Sequence, residues 1–313
     1  MTPSRRHFLR AVAALALPAA IVHGKDRVAS LGGRRLFPAD NIWNQDVAGL
    51  PVDPRSETLI RSIGLDRPLH PDFGTSYQGR PIGIPFVVVG GDQPRVPVRF
   101  EYPDESDPGP YPIPNDAPIE GGPDAEGDRH VLVVDRDRWL LYELYDAHKL
   151  GPGRGWRAGS GAIFDLKTNA QRPAGWTSAD AAGLPILPGL VRRDEAVEAG
   201  SIPHALRFTC RRVRRAYVTP ARHLVNRSTD PSLPPLGMRV RLKPNVETDG
   251  FPPAARAILV ALKQHGMILA DVGNDWFLSG THDPRWDDED LSSLKRIRGR
   301  HLEVIKMGPV TLG

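Results

Sequence analysis

Along most of this chain, apolar residues come in short runs separated by turn residues. The segments "PFVVV" (85–89), "VPVRFEY" (96–102), "HVLVVD" (130–135), "RWLLYELY" (138–145) and "GAIFDL" (161–166) have the length and the β-branched or aromatic content of strands. So do "HALRFTC" (204–210), "RAYVTPA" (215–221), "MRVRLK" (238–243), "MILADV" (267–272), "DWFLS" (275–279) and "HLEVIK" (301–306). Several pairings are expected. "HVLVVD" and "RWLLYELY" flank Asp135-Arg136-Asp137-Arg138 as a hairpin, "HALRFTC" pairs with "RAYVTPA", and "MILADV" turns into "DWFLS" at Gly273-Asn274.

Helical periodicity is confined to short stretches. "DPRSETLIRSIG" (53–64) has Asp53 as a cap, Pro54 in the first turn and Gly64 as a stop. "PPAARAILVALKQHG" (252–266) places Ile258, Leu259 and Leu262 on one face, and "DPRWDDEDLSSLKRI" (283–297) opens with acids where a helix dipole favours them. In "GWTSADAAGLPILPGLV" (175–191), Thr177 with Asp180 predicts one further helical turn ending at Gly183. The pattern predicts a mainly β, β-rich α+β fold: an antiparallel sandwich or barrel-like body with a few short helices, in one domain over 36–313.

The segment "PDESDPGPYPIPNDAPIEGGPDAEGD" (103–128) holds too many prolines for helix or central strand. A loop of this length inside a compact body is functional or disordered, and Tyr111 and Ile113 offer anchors for an ordered course over the protein's face.

The amino terminus changes the picture of where the protein works. In residues 1–24, Arg5 and Arg6 precede Phe8 and Leu9, and an acid-free apolar run follows from Ala11 to Val22. "SRRHFLR" resembles a twin-arginine export signal, with Arg10 where a lysine is common. This predicts passage through the twin-arginine export machinery to a periplasmic or secreted location, with a polar segment at 25–35 before the folded domain. The apolar run is shorter than the roughly 20 residues that span a bilayer, so no stable membrane span is expected in the mature protein. Of the 41 Lys and Arg, three fall in the signal, which leaves 38 against 37 acids, so the basic pI of the whole chain does not argue for a nucleic-acid partner. Cys210 is the sole cysteine, so no intramolecular disulfide is available, and its alternation with Leu206 and Phe208 reads as a core position.

No nucleophile elbow, zincin motif, paired C-x-x-C or phosphate-binding glycine loop is present. The candidate chemistry lies in carboxylates and histidines. Glu120, Asp124, Glu126 and Asp128 surround His130, with glycines that permit close backbone approach. Asp165 and Asp271 each end a strand, and Asp180 and Asn274 occupy turns. Asp104, Glu105 and Asp107 are candidate Ca²⁺ oxygens without the spacing of a defined calcium loop. His130, His204 and His223 sit at the edges of strands, where convergence would hold a transition metal, although their spacing gives no ligand motif. Indoles beside loops, Trp176 and Trp276 among them, suit the apolar faces of sugar rings.

The motifs "DRHVLVVDRD", "GWTSADAAGLPILPGLVR", "HALRF" and "STDPSLPPLGMRVRLK" resemble a family of exported bacterial proteins without an assigned activity. The resemblance transfers no catalytic residue. From the residues themselves the expectation is an exported enzyme that cleaves a polysaccharide or cell-envelope glycan by hydrolysis or elimination, with no cofactor required. Glu120 or Asp128 would serve as one acid/base group, Asp165 or Asp271 as the other, and His130 as orienter or proton carrier. Trp176 and Trp276 would be sugar platforms, with Asp180, His204, His223 and Asn274 also in substrate binding. Two alternatives stand beside it: a noncatalytic glycan-binding or calcium-stabilised surface protein, and a histidine-ligated metal enzyme.

Replacing both Arg5 and Arg6 by lysine is expected to leave the precursor in the cytoplasm of a host with twin-arginine transport, whereas the parent protein is exported and trimmed near Ala20 or Gly24. Fractionation and amino-terminal mass analysis check this, and undiminished export of the double variant would refute it.

Overall fold

A computed structural model describes residues 29–151, 153–225 and 228–313. The export signal expected at 1–24 lies outside the described residues. The fold is a β-rich α+β body built on two mixed sheets. The larger has six strands in the order His70–Asp72, Phe277–Ser279, Leu206–Cys210, Met267–Val272, Arg239–Leu242 and Leu302–Val304. The second has four, in the order Phe86–Val89, Val131–Asp135, Leu140–Tyr145 and Ser160–Asp165. Among the described residues two small sheets complete the strands, and none of the four closes into a barrel.

The continuous apolar run at 131–134 follows from burial on both faces of the four-stranded sheet. Leu132 and Val134 point into the main core, while Val131 and Val133 alternate into a smaller one with Tyr111, Ile113, Tyr142 and Trp156. Leu206, Phe208 and Ile268 of the six-stranded sheet enter the same main core as Leu132 and Leu141, so the two sheets share one interior. Glu143 interrupts this pattern. It lies opposite Leu132 on the core side, fully buried, and accepts hydrogen bonds from the backbone N–H groups of Ile186 (2.8 Å) and Leu187 (2.9 Å). Burial pushes its carboxyl up to about 7, against the pull of those two amides.

Three α-helices form where the periodicity predicts them, at Ser56–Ile63, Pro253–Gln264 and Asp288–Ser292. Pro252 cannot cap the second, and tertiary structure supplies the missing acceptor: Asp290 of the third helix accepts from the N–H of Ala254 (2.9 Å) and Ala255 (2.8 Å). Ala255, Ile258, Leu259 and Leu262 of that helix are wholly buried. Among the described residues no helix is long and apolar enough to cross a membrane.

Several expected pairings differ. "RAYVTPA" does not pair with "HALRFTC"; Ala216–Tyr217 instead pairs with Thr311–Leu312 near the carboxyl terminus. Met267–Val272 and Phe277–Ser279 are not a hairpin, because Leu206–Cys210 lies between them, parallel to the first and antiparallel to the second. The connection at 273–276 therefore crosses the end of the central strand, where Gly273 N–H donates to the Cys210 carbonyl and Thr209 Oγ1 donates to that of Asn274. The larger sheets are mixed rather than purely antiparallel, for four of the strand pairings run parallel. No helical turn forms at 177–183: Asp180 turns inward to Arg207 with one oxygen and accepts from the N–H of Ala182 with the other, at 2.9 Å, in a tight turn.

Trp276 has no exposed surface: it stacks on Phe208 with ring centroids 5.4 Å apart and donates Nε1–H to the Gly64 carbonyl at 2.9 Å. Its truncation to alanine is expected to cost about 3–5 kcal/mol in chemical denaturation, as for a large core aromatic. A variant of unchanged stability would remove it from the core.

Candidate active site

The cleft opens where the carboxyl ends of Leu206–Cys210 and Met267–Val272 face the loop that precedes Val131–Asp135. Side chains on a strand alternate between faces, so Arg207 and Thr209 share one. On the neighbouring strand the register jumps between Leu269 and Asp271, which sets Asp271 opposite Thr209. The extra residue, Ala270, turns the Asp271 carboxylate onto the face that carries Arg207. Its Oδ2 lies 3.9 Å from the guanidinium, and the carboxylate accepts from the N–H groups of Val272 (2.7 Å) and Ala181 (3.3 Å).

Arg207 organises this wall. Its side chain is 4 % exposed; Nη2 donates to Asp180 Oδ2 and Nη1 to Ser279 Oγ, both at 2.8 Å, while Nε has no partner. Asp72, at the end of the edge strand, completes this side of the cleft. The opposite wall comes from the long loop. Tyr111 and Ile113 anchor it in the smaller core, the Arg172 guanidinium pairs with Asp107, and Thr177 N–H donates to Glu105. Two of the acids considered for Ca²⁺, Glu105 and Asp107, are thus engaged in fixing the loop, and Asp104 is exposed.

Glu120 and His130 exchange backbone and side-chain bonds: Glu120 N–H donates to the His130 carbonyl at 3.0 Å, and Nδ1 of the ring lies 2.6 Å from Glu120 Oε2. Nε2 lies 3.0 Å from the Ala179 carbonyl. A carboxylate and a carbonyl can only accept, so both ring nitrogens carry protons and His130 is an imidazolium. Burial works against that charge, but Glu120 outweighs it and raises His130 to about 9. Burial also pushes the Glu120 carboxyl up, and His130 overcomes it and holds Glu120 below the ordinary carboxylate range. The other carboxyls move the opposite way. Burial raises Asp271 despite Arg207, and burial together with the Glu120 charge raises Asp72.

The inner part of the cleft, about 190 Å³, is lined by Asp72, Glu120, Asp128, His130, Arg207, Asp271 and Asn274 among others. It continues into an outer part of about 330 Å³ bounded by Tyr102, Tyr145, Ser160, Asp180 and His223. Asp128, Asp271 and Val272 belong to both. Of the residues singled out in the sequence, the fold thus gathers Glu120, Asp128, His130, Asp180, Asp271, Asn274 and His223 along one cleft. It leaves four elsewhere. Asp165 ends its strand at the far side from Ser160, 3.7 Å from Lys167 Nζ. His204 pairs with Glu195 at 2.9 Å beside a separate small cavity. Trp176 rests against the Arg172 guanidinium, 5.5 Å from ring centroid to carbon, and Trp276 is in the core. Aromatic surface in the cleft comes instead from Tyr102 and Tyr145. Cys210 is buried, and burial raises its thiol.

His130, His204 and His223 do not converge: each is engaged by different acceptors, and among the described residues no three His, Cys, Asp or Glu side chains are grouped to hold a metal ion. Asp72, Arg207, Tyr102 and Tyr145 were not singled out in the sequence. A charged residue inside the apolar run "HALRFTC" was the signal for Arg207; Asp72 and the tyrosines carried none. No family model, curated protein or solved structure matches this chain.

The Glu120–His130 pair predicts a pH-dependent stability. Because the His130 pKa rises from 6.5 to about 9, its contribution is complete below pH 6.5 and is lost as the pH rises through about 9. Glu120 is depressed, so its contribution is present above its ordinary value of 4.5 and is lost as the pH falls through its lowered one. Glu120→Gln is expected to cost on the order of 3 kcal/mol near pH 6 and little above pH 10. Thermal unfolding of both proteins across this range checks it; a gap independent of pH would refute it.

Proposed function

We propose that this cleft is the active site of an exported enzyme that cleaves a polysaccharide or cell-envelope glycan by carboxylate acid/base chemistry. One observation carries the reading: Asp271 and Asp128 line both halves of a single cleft in opposite environments. Asp271 is half-buried against the sheet with its proton affinity raised, while Asp128 is open to water. A carboxyl whose proton affinity is raised suits protonation of the leaving glycosidic oxygen better than an ordinary one does, and a solvated carboxylate suits activation of water or attack on the sugar. In this reading Asp271 is the general acid and Asp128 the base or nucleophile.

The remaining residues serve the charge that develops on the sugar. Glu120, fixed as a carboxylate by His130, stabilises a positively charged ring without exchanging protons itself. His130 holds that carboxylate in place, since neither ring nitrogen is free to accept a proton. Tyr102 and Tyr145 offer ring faces to sugars in the outer cleft.

Hydrolysis is favoured over elimination. Elimination from a uronate needs a cation free to neutralise the substrate carboxylate, and the two cations of the inner cleft are already engaged by Asp180, Asp271 and Glu120. Four carboxyls against those two cations suit a neutral sugar in the inner cleft.

The test is incubation of the purified mature protein with neutral envelope and plant polysaccharides, with mass spectrometry of released oligosaccharides. Products should carry the added mass of water, and Asp271→Asn and Asp128→Asn should each lose at least about a hundredfold in rate, the second with unchanged thermal stability and the first with the native fold retained by circular dichroism although it removes a charge beside Arg207. A fully active variant would remove that residue from the mechanism. Failure to release products from any neutral glycan, with binding retained, would make the cleft a recognition site.

A further inference from the structure

The loop that carries Glu120 has two faces, and the second also borders a cavity. Glu120, Asp128 and His130 face the cleft, whereas Ile119, Gly121, Gly122 and Arg129 line a space of about 660 Å³ on the other side. That volume is within the range of small-molecule sites, roughly 300–1,000 Å³.

Its charge is opposite to that of the cleft. Arg129 is 8 % exposed; its Nε donates to the Ala147 carbonyl and its Nη1 to those of Pro123 and Ala125, and among the described residues no carboxylate pairs with it. Lys149, exposed at the same cavity, has only the Asn115 carbonyl at 2.7 Å as a partner. The buried Nδ1 of His282 has no partner at all. His148 is engaged by Asp146 at 2.7 Å, and the exposed Asp116 is the one carboxylate in the lining. Two uncompensated cations and an unsatisfied ring nitrogen, beside an apolar wall that includes Trp156 and Ile119, call for an oxyanion attached to a body of modest size.

We propose that this cavity binds the carboxylate, sulfate or phosphate group of a sugar-sized ligand. The site is separate from the reaction assigned to the cleft and stands without it. The shared loop places the bound anion behind the wall that presents Glu120 and Asp128.

Isothermal titration of the mature protein with glucuronate, inorganic sulfate and inorganic phosphate tests the inference, with glucose and sodium chloride at matched ionic strength as controls. Saturable binding of at least one oxyanion is expected, weakened at least about tenfold by Lys149→Glu, an exposed position where folding is not at risk, and also weakened by His282→Ala. Binding of glucuronate alone would mark an acidic sugar as the ligand; equal binding of all three would mark the oxyanion itself. The inference is overturned by no saturable binding, by equal affinity in Lys149→Glu, or by a response that chloride reproduces. The same titration on Asp271→Asn protein should be unchanged, so a failure of the proposed reaction is distinguishable from a failure of this site.

Discussion

A guanidinium buried in the middle of a sheet is the constraint around which this structure is arranged. Stripping an arginine of water costs several kcal/mol unless charge and hydrogen bonds replace it. Arg207 obtains Asp180 from a loop, Asp271 from the neighbouring strand and Ser279 from the strand on its other side. Those demands account for two local irregularities at once: the inward turn at Asp180 and the bulge before Asp271. The carboxyls that neutralise the arginine also make the wall of a cleft.

The facing wall solves a different problem, which is how to fix a proline- and glycine-rich loop in one conformation. Its composition lowers the entropy lost on folding at the prolines but provides few backbone partners, so long-range side-chain bonds supply them. Arg172, nearly buried, binds Asp107 and the Glu105 carbonyl, and Arg129 spans the carbonyls of Pro123, Ala125 and Ala147. The loop is therefore held from within by arginines, which leaves Glu120 and Asp128 available to the cleft. Sign separation across the part of the loop near Glu120 follows: Arg129, which braces it, faces one cavity, and Glu120 and Asp128 face the other.

Much of the secondary structure was legible in the sequence because it rests on local pattern. Alternation and apolar runs located the principal strands, and Pro253 and Gly266 bracketed the long helix. Pairing was less legible, since nothing in "MILADV" or "DWFLS" records that a third strand lies between them. The acids at Glu120, Asp128 and Asp271 drew attention by their positions at loop and strand ends, and they meet across the cleft. Asp165 met the same criterion and stands at the opposite end of its sheet, because a strand has two ends and local pattern does not say which one faces the cleft. The tryptophans misdirect for a related reason: context beside turns does not distinguish a ring at the surface from one folded under it, as Trp276 is.

The bulge at Ala270 carries a consequence for how such a site is inherited. Asp271 faces the cleft only because one residue more separates it from Leu269 than a regular strand would allow. The acid is specified by a backbone irregularity as much as by an identity. A lineage whose strand ran regularly through the alanine would keep every functional residue type in its sequence and yet turn the carboxylate into the apolar interior, whereas loss of the alanine together with the bulge would leave the acid opposite Thr209. Relatives that retain the aspartate are therefore equivalent at this position only where it still stands opposite that residue, either directly after the core leucine or after one bulged residue.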